Sequence, residues 1–538
     1  MKKRCSMMIM RITEQVNKIY QNNRKICLLA LQILEWLAFA VSYLIAVRFI
    51  DRYIDGFLDL DLSAELVSGN ILSEEGGIIT KDWIFSTELR VLNVPLVFSI
   101  IFHFFYSWHT VRVISSAILL LILAGSALYL AYSLGLGRIA PLLAMVIVLP
   151  FSPVYMLFVT CGLYYIPHIA ISLFTIGMVY RLSSAGKVRR IVILIILGLL
   201  AAVAGMGGIR MVANLYLPLI CVLIIIYIAG YKMTEKNRFP IMGIVISFIF
   251  SLIGLFINGR LHAVYEFNDR PVEFIHMVGT DIADRVINPI LNCFSYSDTA
   301  LDLWTLVRNS FCGLSIIMVV VALIFHMKGK KEKEVFLSLF FIMNLGITIV
   351  IFLFTETQFR DRYYLPVIFW GFILIAGMFW KMDGDRPVIK VGFSLLYLML
   401  ICLSSYNVYK IYKYLDITSS LREAEEFLVE NDFTNGYAGG FGVQITELSD
   451  GKIDVWNWDG GDIDNQKDID EILLWLQKKS HMTEKPEGKV FVILNTEQYS
   501  ICPFKDRVKD YQIYDNDEYV IFGFDDYSEC RSVCNEIN

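Results

Sequence analysis

The sequence predicts a polytopic α-helical membrane protein of about 11–12 spans that ends in a small α/β domain outside the bilayer. Three observations predict it. Of 538 residues, 56% are hydrophobic and 18% charged, against roughly half and a quarter in soluble domains. The apolar residues gather in runs of roughly 20, the length a helix needs to cross a bilayer. The net charge of −5 hides a split, because the stretch from Asp416 onward holds 27 acidic and 11 basic residues and the rest is net positive. So acidic a tail excludes nucleic acid as its partner and does not dock on anionic lipid.

The basic segment 1–26 runs directly into the first apolar stretch, without a short apolar core and a small-residue cleavage site. It is expected to be a cytoplasmic segment leading into a signal anchor. Spans are expected at 27–50, 111–133, 139–160, 165–181, 190–206, 212–230, 239–258, 304–326, 335–354, 363–380 and 390–410. Lys and Arg are retained on the cytoplasmic side of short loops. They mark the N-terminus and the loops 181–190, 232–238, 328–333 and 381–390. If these five are cytoplasmic, the loops 51–110 and 259–303 lie outside, and so does the domain 415–538 that follows the membrane domain 27–414. Residues 91–106 are apolar but short for a span, and a crossing there would invert every later loop. They are expected to be re-entrant or to lie at the outer interface. The competing arrangement is a true short span, with two crossings packed into 136–170.

Ten cysteines form no framework. Cys27, Cys161, Cys221, Cys312 and Cys402 lie in or beside apolar runs, where cysteine behaves as a small hydrophobe. No pair combines zinc-site spacing with histidines. In the tail, Cys530 and Cys534 are one helical turn apart and Cys502 is a third thiol, which leaves a disulfide open.

The loop after the first span carries Asp55, Asp59, Asp61 and Glu65. On a helix, Asp61 and Glu65 share one face, while Leu62, Leu66 and Val67 face the other way, toward the membrane surface. Carboxylates beside anionic lipid are unfavourable unless they have a partner or a task. A solvated loop is the plain alternative.

The pattern resembles the GT-C class of polyprenyl-phosphate-sugar-dependent membrane glycosyltransferases, which includes protein O-mannosyltransferases and lipid A aminoarabinose transferases. Asp61 with Ser63 and Glu65 resembles the acidic motif of that class. Gly76 and Gly77 resemble its turn, Pro95-Leu96 its Pro-Leu, and RYYLP (362–366) the start of a late span. The resemblance implies a GT-C-like transmembrane domain embedded among membrane lipids. It also implies a polyprenyl-phosphate-linked sugar as donor and a cell-surface glycan, lipid or protein as acceptor. A carboxylate would remove the acceptor proton. Asp61 is expected in that role, with Asp59 next and Glu65 as the neighbour that orients. Cations would meet the leaving phosphate, and arginine suits this because its fork is bidentate and permanently charged. The candidates are Arg90, Arg210, Arg360 and Arg362, against the plain alternative of snorkelling at a span end. Glu88, His168 and Glu266 are expected on the acceptor side. A divalent cation is the one cofactor left open, and no residues are assigned to a metal.

The loop 259–303 is long for a connection, and HAVYEFNDRPVEF within it is expected to form an interfacial helix. In the tail, LREAEEFLVEN and DIDEILLWLQKKS have helical period, while VFVIL and YVIFGF are strand-like. GYAGGFGV is expected as loop and edge strand, and WNWDGGDIDN as either a turn or a sugar-stacking surface.

The function expected is transfer of a sugar outside the cytoplasm. A transporter or flippase would instead gather charges at mid-membrane, and a non-catalytic scaffold would leave the Asp61 region without converging partners. A topology reporter fused after Lys187, Lys331 or Asp385 is expected to register the cytoplasm, and one after Asn465 the outside. A cytoplasmic signal at Asn465 contradicts the charge reading.

Overall fold

The structure is a computed structural model, which describes residues 24–86, 89, 91–230, 235–268, 282–299, 302–329, 332–355, 361–381, 387–414, 416–458 and 468–535. Each of the eleven expected spans coincides with helical structure. Among the described residues, nine helices are long and apolar enough to cross a membrane. The tenth span is broken: Ala140–Val148 and Pro153–Cys161 meet at 84°. Pro150 and Pro153 stand at the break, where proline cannot donate to the preceding turn. The Pro150 carbonyl accepts instead from Asn407 at 2.8 Å, so the break stays satisfied inside the protein, as a bilayer demands. The eleventh, Ile166–Leu182, is apolar but has 17 residues.

The first helix, α1 (Arg24–Tyr53), leads through a turn into α2 (Leu60–Glu75), and α3 (Val94–Phe102) packs against α2. A Cβ on Gly69 would lie 2.6 Å from that of Phe98, so glycine permits the approach. The nine residues of α3 are about 14 Å long, too short to cross ~30 Å of hydrocarbon. Next comes α4 (Trp108–Leu134). Leu62, Leu66 and Val67 are buried in the protein core and not against the membrane surface, because α3 and a helix of the C-terminal domain pack on α2.

The tightest helix pair is α5 (Lys187–Met206) with α6 (Glu235–Leu261). A Cβ on Gly205 would stand 2.1 Å from the Ser251 carbonyl oxygen, and one on Gly254 2.0 Å from that of Ala202. Small residues let two backbones meet in this way within a membrane.

After the last span, Pro387–Tyr414, the chain forms a five-stranded sheet. Its strands are β3 (Asn435–Ala438), β4 (Asp454–Asn457), β5 (Val490–Asn495), β6 (Gln512–Asp515) and β7 (Tyr519–Phe524), in the order β4-β3-β5-β7-β6. β3, β4 and β5 are parallel, and β7 is antiparallel to β5 and β6. β5 is apolar from Val490 to Leu494 because both of its faces are buried there. A second, two-stranded sheet pairs β1 (Ile84–Phe85) with β2 (Glu266–Phe267). Residues 476 and 477 extend it, since Leu476 N–H donates to the Ile84 carbonyl and Ile84 N–H to that of Gln477.

Several expectations are corrected. DIDEILLWLQKKS is not a helix. Its backbone groups bond to Asn457 and Ile84, so tertiary pairing overrides local period. GYAGGFGV places β3 inside the sheet, not at its edge, and continues into helix α8 (Gly442–Leu448), described with the site below. The described part of HAVYEFNDRPVEF is a turn and β2, because Ile84–Phe85 takes its backbone bonds; residues 269–281 lie outside the described residues. Trp456 is buried against His481, and Trp458 is buried with its indole N–H on the Asp468 carbonyl. Neither offers a sugar-stacking face, and 459–467 lie outside the described residues. Cys502, Cys530 and Cys534 are free, buried thiols.

Gly254→Val is expected to destabilise the membrane domain by about 1–3 kcal/mol through overpacking. Gly259→Val, with nothing within 4 Å of the new Cβ, is expected to be far milder. Melting temperatures in detergent check this, and equal losses would contradict the packing account.

Candidate active site

The site is built where α2 begins. Asp59 caps the helix in extended conformation and accepts the Leu62 N–H at 2.8 Å. A carboxylate there also meets the positive end of the helix dipole. Asp61 follows in the first turn and pairs with Arg362 at 3.2 Å. That arginine belongs to the turn Asp361–Tyr364, which opens into α7 (Leu365–Lys381), 301 positions further along the chain.

Aromatic rings collar the guanidinium. The Arg362 carbon lies 5.0 Å from the Phe158 ring centre and 5.8 Å from that of Tyr363. Arg210 approaches Tyr363 as well, at 4.9 Å, in the turn that follows Gly208 at φ +97°. Two of the expected arginines thus flank one ring. Tyr164 is buried, and its hydroxyl has no hydrogen-bond partner among the described residues. Burial raises its phenol well above the usual range, and the charges of Asp59, Asp61 and Glu65 act in the same direction while Arg362 opposes them. Glu65 lies one turn along α2 from Asp61.

Burial pushes the Asp59 carboxyl up to about 6, with Asp61 adding to the rise and the Leu62 amide and Arg362 opposing it. Such a group can accept a proton near neutral pH.

The remaining expected residues fall elsewhere. His168 is buried, with Nδ1 at 3.2 Å from the Tyr164 carbonyl, so it supports the turn that carries Tyr164. Glu266 sits in β2 and pairs with Lys479 at 3.0 Å, which ties its loop to the C-terminal domain. Glu88, Arg90 and Arg360 lie outside the described residues. Among the described residues, no three histidines, cysteines or carboxylates converge as metal ligands. Asp61 meets a guanidinium instead, so the residues described do not form a set for a divalent cation. A cleft of about 330 Å³ lined by His326, Lys333, Glu334 and Lys381 involves none of the expected residues.

Sequence reasoning missed Arg112, in the first turns of α4. It is 1% exposed. Its guanidinium donates to the Glu447 carboxylate at 2.7 Å and to the Leu62 carbonyl at 3.0 Å. Glu447 lies on α8 (Gly442–Leu448) of the C-terminal domain, which packs on α2. In the sequence the one signal was a charge one residue inside an expected span.

No protein-family model matches the chain, and no curated protein matches it either. Among solved structures, the apo crystal structure of ArnT from Cupriavidus metallidurans superposes with a TM-score of 0.55 at 9% identity, covering 96% of this chain and all of that one. The chain has the GT-C fold. Two structures of the Archaeoglobus fulgidus oligosaccharyltransferase overlap less closely. One is tethered to an acceptor peptide by a disulfide, with a TM-score of 0.46 at 10% identity over 88% of this chain and 70% of that one. The other is a complex with Zn and sulfate, with a TM-score of 0.43 at 13% identity over 88% and 71%. The GT-C-like fold expected from the resemblance is the fold found, and the chain carries its Asp61–Arg362 pair where α2 begins.

The raised Asp59 pKa has a consequence for stability. Folding favours the protonated form, so the contribution is present below about pH 4 and is lost as pH rises through about 6. Asp59→Asn keeps a capping side chain and removes this titration. It is expected to raise stability by on the order of 2 kcal/mol near pH 7.5 and to change little near pH 4. Thermal unfolding at both pH values checks it; a difference independent of pH contradicts the burial account.

Proposed function

We propose that this chain is a membrane glycosyltransferase that moves a sugar from a polyprenyl phosphate to an acceptor outside the cytoplasm. The observation that carries the reading is the Asp61–Arg362 pair, with Arg210 against the same Tyr363 ring that Arg362 approaches. A carboxylate and two cations thus come from three distant segments of the chain.

On this reading the donor phosphate draws Arg362 away from Asp61. The freed carboxylate takes the proton of the acceptor hydroxyl, and the acceptor oxygen bonds to the anomeric carbon. The bond from that carbon to the phosphate oxygen breaks, and its electron pair leaves with the phosphate. Arg362 and Arg210 meet the growing charge, which is where preorganised cations contribute most. Asp59 is the alternative base, and Glu65 orients the acceptor. Arg90 and Arg360 are further candidates for the phosphate. Glu88, His168 and Glu266 are candidates on the acceptor side. The charge rule puts the C-terminal domain outside.

Asp61→Asn keeps the size and removes the base. With a polyprenyl-phosphate sugar as substrate, turnover is expected to fall about 10²-fold or more with donor affinity little changed. Asp55→Asn is expected to lose little. Full activity in both Asp61→Asn and Asp59→Asn would remove the support for a transferase.

A further inference from the structure

The C-terminal domain does more than sit on the membrane bundle. Its Glu447 reaches a fully buried guanidinium of α4, and that guanidinium holds the backbone of α2. The contact falls on Leu62. The N–H of this residue fixes the Asp59 carboxylate, and its carbonyl takes the Arg112 bond. Asp61 is its immediate neighbour. The chain of contacts is thus Glu447, Arg112, Leu62, then the two carboxylates of the site.

Three other bonds hold the same seam. Gln444 donates to the Leu58 carbonyl at 2.6 Å, Trp108 N–H to Asp450 at 2.7 Å, and Ile417 N–H to the Gly56 carbonyl at 3.1 Å. The turn Gly56–Asp59, which ends in the cap, is therefore bonded to the C-terminal domain on both sides. A Cβ on Gly440 would lie 3.7 Å from Leu60, which places β3's following turn directly over the start of α2.

We propose that Glu447 is a positioning residue for the carboxylates of the first loop, acting through Arg112. The inference rests on the transferase reading for its catalytic consequence, but not for its structural one. A carboxylate facing a buried guanidinium keeps that cation in place, because an unpaired charge there is strongly unfavourable. With Glu447 neutral, Arg112 is drawn toward other acceptors and the Leu62 carbonyl loses its donor. The first turn of α2 loosens, and small displacements of a base cost large factors in rate.

The test uses the full chain in detergent or nanodiscs. In Glu447→Gln, amide exchange in the peptide 57–66 is expected to rise about tenfold, and kcat to fall about 10²-fold with KM for the donor little changed. Unchanged exchange overturns the proposal whatever the activity. Raised exchange with wild-type kcat overturns it as well. If the wild type turns over no polyprenyl-phosphate sugar, the transferase reading has failed, and the exchange measurement still decides whether Glu447 holds the loop. Should Glu447→Gln not fold, Arg112→Gln with Glu447→Gln removes both charges. That pair is expected to regain thermal stability while kcat stays low, since the bond to Leu62 is gone. Recovery of kcat together with stability would make the pair merely structural and overturn the proposal.

Discussion

The guanidinium of Arg112 is buried between the membrane helices and the C-terminal domain, and a charge in that position dictates its surroundings. It cannot shed its proton, and leaving it unpaired would cost several kcal/mol. Glu447 must therefore reach it, which sets the height of α8 over α2. The C-terminal domain is then seated by bonds to the backbone of Gly56 and Leu58 and to the start of α4. A second anchorage lies along β1, which pairs with β2 on one side and with residues 476–477 on the other. The first loop, the 259–303 loop and the C-terminal domain thus share backbone hydrogen bonds, with Asp82 on Ser480 and Glu266 on Lys479 beside them.

The candidate site inherits its geometry from this seam. Asp59 and Asp61 stand at the end of α2 that the domain clamps, and Arg362 reaches Asp61 from the turn that opens into α7. The aromatic collar of Phe158 and Tyr363 confines the guanidinium, so the ion pair forms in a place partly shielded from water. Shielding strengthens both attraction and the penalty for a mismatch. It also accounts for the raised Asp59 carboxyl, which shares its space with Asp61. The broken span contributes here too: its second half carries Phe158, and the turn beyond it carries Tyr164. Prolines that look like helix breakers in the sequence are what bring those rings to the site.

Legibility in the sequence followed physical range. The eleven apolar runs became eleven helical segments, since a membrane span is decided by local composition and length. Residues 91–106 did form a helix too short to cross. Strands β5 and β7 and the helix Ser419–Glu430 were legible from local pattern, as was the acidic motif around Asp61. The segment 468–480 was misread because its helical period lost to backbone pairing with Asn457 and Ile84. The apolar face of α2 was assigned to the membrane surface, although α3 and α8 pack on that helix. The ion pair of Glu266 with Lys479 had no signal in the local pattern.

By itself, then, the sequence determined the number of apolar segments, the acidic character of the tail, and the acidic motif around Asp61. These depend on neighbours along the chain, where hydropathy, charge and spacing act directly. Only the tertiary structure decided which arginine meets Asp61, which ring Arg210 shares, and that Glu447 reaches Arg112 across 335 positions. Such pairings depend on desolvation, and a charge is desolvated only when distant segments close around it.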